Sequence, residues 1–406
     1  MKKQFTFVAL ATLALLSACG GGGNSGETKA RVSAVKVVGA SLADSGTFGF
    51  KFTVQSASGT PYQVYTERIA ATYGLGLCNH FAFTGSGFNQ NAACGNYAVA
   101  GAAINYGTLD DTNSDTVSDT FTPQPGQPSS QTLQLSLLGG AGYGAGDLLI
   151  VGEGSSNDAA TLTTAYLTDV QTSGTLNTDL FTQMLTSLGD STVLTALGSG
   201  GALAGGNAYM AALANQLVAS VKTNALDRGA TRVAILNTLD ITRTPRFQAV
   251  LADIAAGPGG SVAAAQVQAL VRSWVQAHNT ALNAAVAQYA GKVVVVDAFQ
   301  GFNDELDNLA QYGLTNKTST VCDQTFQAST AGTPTLATAG DTSLNSPSVL
   351  ATCVDATASA LTPTENNTGT NWWTTYLFAD NFHPTPYGHQ LLAQLVAKRL
   401  SEAGWL

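Results

Sequence analysis

The feature that most restricts the fold is a slow alternation along the chain. Short aliphatic runs at 35–38, 97–99, 148–151, 233–236 and 293–296 are separated by long stretches with helical patterning. Antiparallel neighbours need a turn of only about two to five residues. Runs this far apart predict parallel strands joined by helical crossovers, and therefore a sheet with helices on both faces. The helical patterns fall at 61–73, opened by Pro61 and closed by Gly74; at 208–226, ahead of Gly229; at 262–289, stopped by Gly291; and at 388–403.

Two stretches break the rhythm. Residues 108–131 are polar and carry Pro, Gly and Ser, and residues 315–370 form a long low-charge loop with two cysteines. Loops of this length in a compact domain commonly serve function. This one precedes a histidine-bearing segment, so it is expected to wall or cover a site.

The N-terminus combines Lys2 and Lys3, an apolar run over 5–16 and small residues ending at Cys19. The run is too short for a bilayer-spanning helix, so 1–18 reads as an export signal. Leu16-Ser17-Ala18-Cys19 resembles the bacterial lipobox, which implies cleavage before Cys19 and its lipidation; ordinary signal cleavage with Cys19 incidental is the alternative. Residues 19–31 then form a Gly/Ser-rich tether, and 32–406 a single domain. A membrane contact through the anchor follows, with outer-membrane residence part of that expectation.

Export accounts for the other cysteines. Cys78, Cys94, Cys322 and Cys353 form an even set suited to an oxidising compartment. Three pairings exist; proximity favours Cys78 with Cys94 and Cys322 with Cys353. The spacing lacks CxxC, so no metal is expected. The formal charge of −9 becomes about −11 once the two signal-peptide lysines are removed. That balance disfavours a nucleic-acid partner.

Chemistry concentrates at the two ends of the domain. The first run leads into Val37-Val38-Gly39-Ala40-Ser41-Leu42-Ala43-Asp44-Ser45-Gly46, and the last helix follows Phe378-Ala379-Asp380-Asn381-Phe382-His383-Pro384. In one tight turn, Asp380 can reach Nδ1 of His383 and leave Nε2 free. Pro384 restricts the backbone of His383 and stiffens its aim. The remaining histidines, His80, His278 and His389, read as structural.

Together these segments resemble the first and last blocks of the GDSL, or SGNH, family of serine esterases and lipases, most closely its bacterial outer-membrane esterase and phospholipase-type members. Asn96-Tyr97-Ala98-Val99-Ala100-Gly101 resembles the second block, and Gly152-Glu153-Gly154-Ser155-Ser156-Asn157-Asp158 the third. The resemblance implies a flavodoxin-like three-layer α/β/α sandwich with a mainly parallel sheet. It implies Ser41 as nucleophile, His383 as base and Asp380 as its orienting acid. The oxyanion donors would be the backbone N–H groups of Ser41 and Gly101 and the side chain of Asn157. No metal or organic cofactor is implied. The expected substrates are acyl lipids, lysophospholipids or short-chain acyl esters, acted on by a monomer. A carbohydrate O-acetylesterase would use the same residues, and a non-catalytic, glycan- or partner-binding surface lipoprotein is the alternative of another class. The sequence departs from the family pattern at Ala40, where an aspartate is usual, and at Ala100, where a glycine is usual.

Other motifs carry less. Gly198–Gly206 is glycine-rich but follows no strand, which argues against a dinucleotide loop. Ala43 replaces the second glycine of Gly-x-Ser-x-Gly, which argues against an α/β-hydrolase elbow. Trp372 and Trp373 fit either an acyl pocket or core packing. Thr242-Arg243-Thr244-Pro245-Arg246 follows a strand at the expected active face and fits either a site or a solvated turn.

Overall fold

The computed structural model describes residues 31–110, 118–173, 180–323, 347–361 and 369–406. The proposed export signal, Cys19 and most of the tether lie outside the described residues, as does part of the 315–370 loop. In chain order the first half contains β1 (Ala34–Val38), α1 (Tyr65–Thr72), β2 (Phe81–Phe83), β3 (Phe88–Gln90), β4 (Gly107–Asp110), β5 (Thr120–Pro123), α2 (Gln131–Gly139), β6 (Asp147–Val151) and α3 (Gly154–Ser173). There follow α4 (Leu180–Thr186), α5 (Ser191–Asn224), β7 (Val233–Leu236), α6 (Pro245–Ala256), α7 (Gly260–Val286), β8 (Val293–Val296) and α8 (Ala298–Asp307). Two short helices, α9 (Pro347–Thr352) and α10 (Asp355–Ala360), precede the last, α11 (Pro386–Glu402).

The central sheet has the order β1-β6-β7-β8, parallel throughout, with Val37 beside Ile150, Ile150 beside Ala234 and Ala234 beside Val294. Its strands alternate between two cores because successive side chains leave a strand on opposite faces. Val38, Leu149, Val151, Val233 and Ile235 pack under α2 to α7. Val37, Leu148, Ile150, Ala234 and Val296 pack on the other face against α1, α11 and Trp405. Burial on both faces is why these strands read as unbroken aliphatic runs. The result is the expected three-layer α/β/α sandwich.

The expected strand at 97–99 is reduced to an irregular edge. It joins β1 through a single parallel bridge, Val37 to Asn96, and through Tyr97 N–H and Val99 N–H donating to the carbonyls of Val37 and Gly39. Side chains take the next donors instead: Asn96 Oδ1 accepts from Ala98 N–H, and Asp44 Oδ2 from Ala100 N–H. With this edge counted second, the order is the flavodoxin-like 2-1-3-4-5. The crevice between the edge and β6, at the carboxyl end of β1, is then the place where a ligand site is expected.

Several elements differ from the sequence reading. Helix α1 begins at Tyr65, not at Pro61, because Glu67 Oε2 caps the N–H of Val64. Helix α5 begins at Ser191 and runs through the glycine-rich segment, breaking at Gly200 and Gly201, the latter with φ of 63°. The polar 108–131 stretch holds the β4–β5 hairpin and the start of α2.

Both proximity pairings of the cysteines form, Cys78–Cys94 and Cys322–Cys353. The second anchors a separate apolar cluster with Phe52, Trp372, Trp373 and Tyr376. Trp372 Nε1 donates to Ala358 O and Trp373 Nε1 to Ser359 Oγ. The two tryptophans are therefore core packing beneath the loop.

Candidate active site

The carboxyl end of β1 delivers Ser41 through a tight turn in which the N–H groups of Ala43 and Asp44 donate to Ala40 O. Gly39 lets the turn approach β6 closely, since a Cβ there would lie 3.1 Å from Ala43 Cβ and 3.2 Å from Gly152 Cα, so that these neighbours would have to shift. Ala40 is fully buried. Its methyl group carries no hydrogen bond, and the turn is held by other carboxylates. Glu153 Oε1 accepts from Leu42 N–H at 3.0 Å. Asp44 Oδ1 accepts from the N–H groups of Gly46 and Thr47, at 2.9 and 2.7 Å.

The segment before α11 delivers the histidine. Ala379 N–H donates to His383 O, and Thr385 caps α11 by accepting from Gly388 N–H. Inside this closed loop Asp380 Oδ1 accepts from the N–H groups of Phe382 and His383, at 2.8 and 2.6 Å. Its Oδ2 lies 2.7 Å from His383 Nδ1, and His383 Nε2 lies 2.8 Å from Ser41 Oγ. The chain thus brings together two segments 342 residues apart. With Asp380 fully buried and holding Nδ1–H, Nε2 faces the serine as an acceptor.

The cleft above Ser41 has a volume of about 290 Å³ and is also lined by Phe52, Gly101, Asn157, Arg246 and Phe382. Gly101 has φ of 79°, a left-handed conformation that suits glycine. Among the described residues neither its N–H nor that of Ser41 meets an acceptor. Asn157 sits in the first turns of α3, where one hydrogen of Nδ2 is fixed by Ala102 O at 2.8 Å. The other hydrogen remains free to donate. Asp158 accepts from the N–H groups of Ile104 and Asn105, clamping the loop that follows Gly101.

The other histidines lie away from the cleft. His80 stacks on Tyr97 with ring centroids 3.9 Å apart. His278 is buried against Thr238 Oγ1, and His389 against Phe52 O.

Asp44, Glu153 and Asp158 escaped the sequence reading as supports of the site. Asp44 had a local signal, three residues after Ser41 in the same turn, and Asp158 followed Asn157 directly. Glu153 had none, because its partner Leu42 is 111 residues away.

Behind Ser41, Glu153 and Glu305 both line a small cavity of about 50 Å³. Burial pushes Glu153 up to about 7 and Glu305 to about 8, and it raises Asp158 to about 7 as well. An unfolded chain would release these protons near the ordinary carboxyl value, so the native state binds more protons across neutral pH. Stability therefore falls as pH rises through this window. Burial depresses His278 to about 4 and His389 to about 3, so they oppose this trend only below their unfolded value, about 6.5. The protein is expected to melt at a higher temperature at about pH 6.5 than at about pH 8.5. Thermal unfolding followed by circular dichroism checks this, and Glu305→Gln is expected to flatten the slope.

A parallel sheet between helical layers, with a serine, histidine and aspartate in hydrogen-bonded series at its switch point, defines an α/β/α hydrolase. The chain belongs to the GDSL-like lipase/acylhydrolase family, whose model matches residues 35–396. Membership makes it an ester-hydrolysing enzyme in general terms. No curated protein matches the chain.

Proposed function

We propose that this protein is a serine esterase acting on carboxylic esters with an extended acyl or alcohol arm, acyl lipids and lysophospholipids among them. The carrying observation is the 2.8 Å contact between Ser41 Oγ and His383 Nε2, with Asp380 holding Nδ1. His383 takes the hydroxyl proton as Ser41 Oγ attacks the ester carbonyl. The oxyanion that forms is met by the N–H groups of Ser41 and Gly101 and by Asn157 Nδ2. Collapse breaks the bond to the alcohol, which leaves with the proton from His383. A water, deprotonated by the same imidazole, then attacks the acyl-serine; the acyl–Oγ bond breaks, the acid leaves and Ser41 Oγ takes the proton back from His383.

The Asp380 carboxylate stabilises the imidazolium that forms twice in the cycle. An extended substrate is favoured over an acetate because the Ser41 cleft shares Ala160, Arg246 and Phe382 with a second groove of about 640 Å³. An acetyl group would leave that groove unused. Cys19 remains the proposed lipid anchor, which would set the enzyme beside acyl-lipid substrates. The two disulfides fit an exported protein.

A p-nitrophenyl ester series from acetate to laurate, run beside acetylated sugars, tests the reading. Rates are expected to rise with chain length beyond acetate. Turnover of acetyl esters alone would replace this reading with a carbohydrate O-acetylesterase.

A further inference from the structure

Arg246 stands where the two cavities meet. It lines both the Ser41 cleft and the larger groove, which runs between α3 and α6. Its backbone is fixed, since its N–H donates to Asn381 O in the loop that carries Asp380 and His383. Its side chain is partly buried, which draws its pKa below the ordinary value, and the carboxylate charge of Asp380 offsets part of this. An arginine remains protonated across the working pH range all the same.

Arg246 differs from the arginines that pair near it or at other helix ends in lacking a partner. Arg243, three residues earlier, donates to Asn303 Oδ1 at 2.7 Å and to Asp307 Oδ1 at 2.6 Å. Arg272 pairs with Asp240, and Arg399 with Glu402. Among the described residues the guanidinium of Arg246 has no hydrogen-bond acceptor and no ion pair. Asp380 does not fill the role, because both of its oxygens are engaged by His383 and its own loop. A partly buried cation left unpaired at the wall of a substrate cleft is costly unless a ligand supplies the anion.

We propose that Arg246 recognises an anionic group on the substrate, so that preferred esters carry a carboxylate or phosphate on the arm leading from Ser41 into the α3–α6 groove. The proposal rests on the esterase reading above. The planar guanidinium suits both oxyanions, each of which offers it two parallel acceptors. The groove beyond mixes Leu167, Val250 and Ile254 with Thr163 and Thr164, with the exposed Asp253 at its edge. That lining accepts an amphipathic arm continuing past the charge.

Two matched pairs test this and separate the sources of the anion. One pair is a short-chain monoacylglycerol phosphate and the corresponding monoacylglycerol. The other is a dicarboxylic acid monoester and its diester. In the wild type, kcat/KM is expected to favour the charged member of at least one pair by about 10- to 100-fold. Arg246→Gln is expected to bring that ratio to about one, chiefly through loss at the charged member, and Arg246→Lys to retain part of the preference. Equal losses for both members in Arg246→Gln would overturn the proposal and make the residue a support of the reacting atoms. A wild-type ratio near one in both pairs would also overturn it. Turnover of the neutral esters that disappears in Ser41→Ala leaves the esterase reading standing in either case.

Discussion

Ser41→Ala is expected to lower kcat for p-nitrophenyl ester hydrolysis by about 10⁴- to 10⁶-fold. The hydroxyl is the atom aligned with His383 Nε2, and alanine removes this proposed nucleophile while keeping the turn. The neighbouring supports are untouched, because Glu153 and Asp44 hold backbone N–H groups and not the serine hydroxyl. Thermal stability should therefore change little, by about 1 kcal/mol for the single hydrogen bond lost. A fluorophosphonate probe is expected to label the wild type and not the variant. Residual turnover above about 1% of wild type would point to another nucleophile, given the size of loss expected from a true one. Ser156 would be a poor substitute: its hydroxyl lacks a partner, but it faces the small cavity behind the site and not the Ser41 cleft. If folded wild-type protein takes up no probe, the esterase reading fails and a non-catalytic surface protein takes its place.

The legible parts of this molecule were those fixed by local spacing. Strands β1, β6, β7 and β8 announced themselves because burial on both faces demands continuous aliphatic side chains. Asp380 and His383 were legible for a related reason, since one short turn holds both and Pro384 closes its options. Gly101 and Asn157 could be picked out only through the family blocks, and the cleft holds both beside Ser41. What stayed hidden depends on contacts between distant segments. The 97–99 strand faded because Asn96 and Asp44 side chains take its donors, and no period in the sequence reports that. Helix α1 starts late because a glutamate inside it provides the cap. The helical pattern reads only from 208, yet Gly206 is needed in α5 because a Cβ there would collide with the Trp274 ring. Arg246 was visible as one of two arginines after a strand. Only the paired state of Arg243 beside it shows that the two are not equivalent.

The same logic of accepted hydrogen bonds sets the outcome at Asp380. Three N–H donors converge on this fully buried carboxylate: two backbone amides on Oδ1 and the imidazole on Oδ2. Asparagine offers one oxygen and one NH₂ group, so it cannot accept from both sides. If its oxygen stays on the Phe382 and His383 amides, the NH₂ faces Nδ1, which must then accept. The ring proton moves to Nε2 and points at Ser41, where it cannot serve as a base. If the amide turns over, the two backbone donors are left facing NH₂, at a cost of about 1–3 kcal/mol for each buried unsatisfied group. The first arrangement keeps the loop, so it is the one expected. Asp380→Asn should then fold with a near-native melting temperature and lose about 10⁴-fold in kcat, the size of loss that a wrong histidine tautomer produces. Combining it with Ser41→Ala should add nothing further, because a base has no proton to take once the hydroxyl is gone. Steady-state rates beside thermal melts separate the two arrangements. A loss in kcat smaller than about tenfold with the fold intact would mean that Asp380 does not set the tautomer of His383.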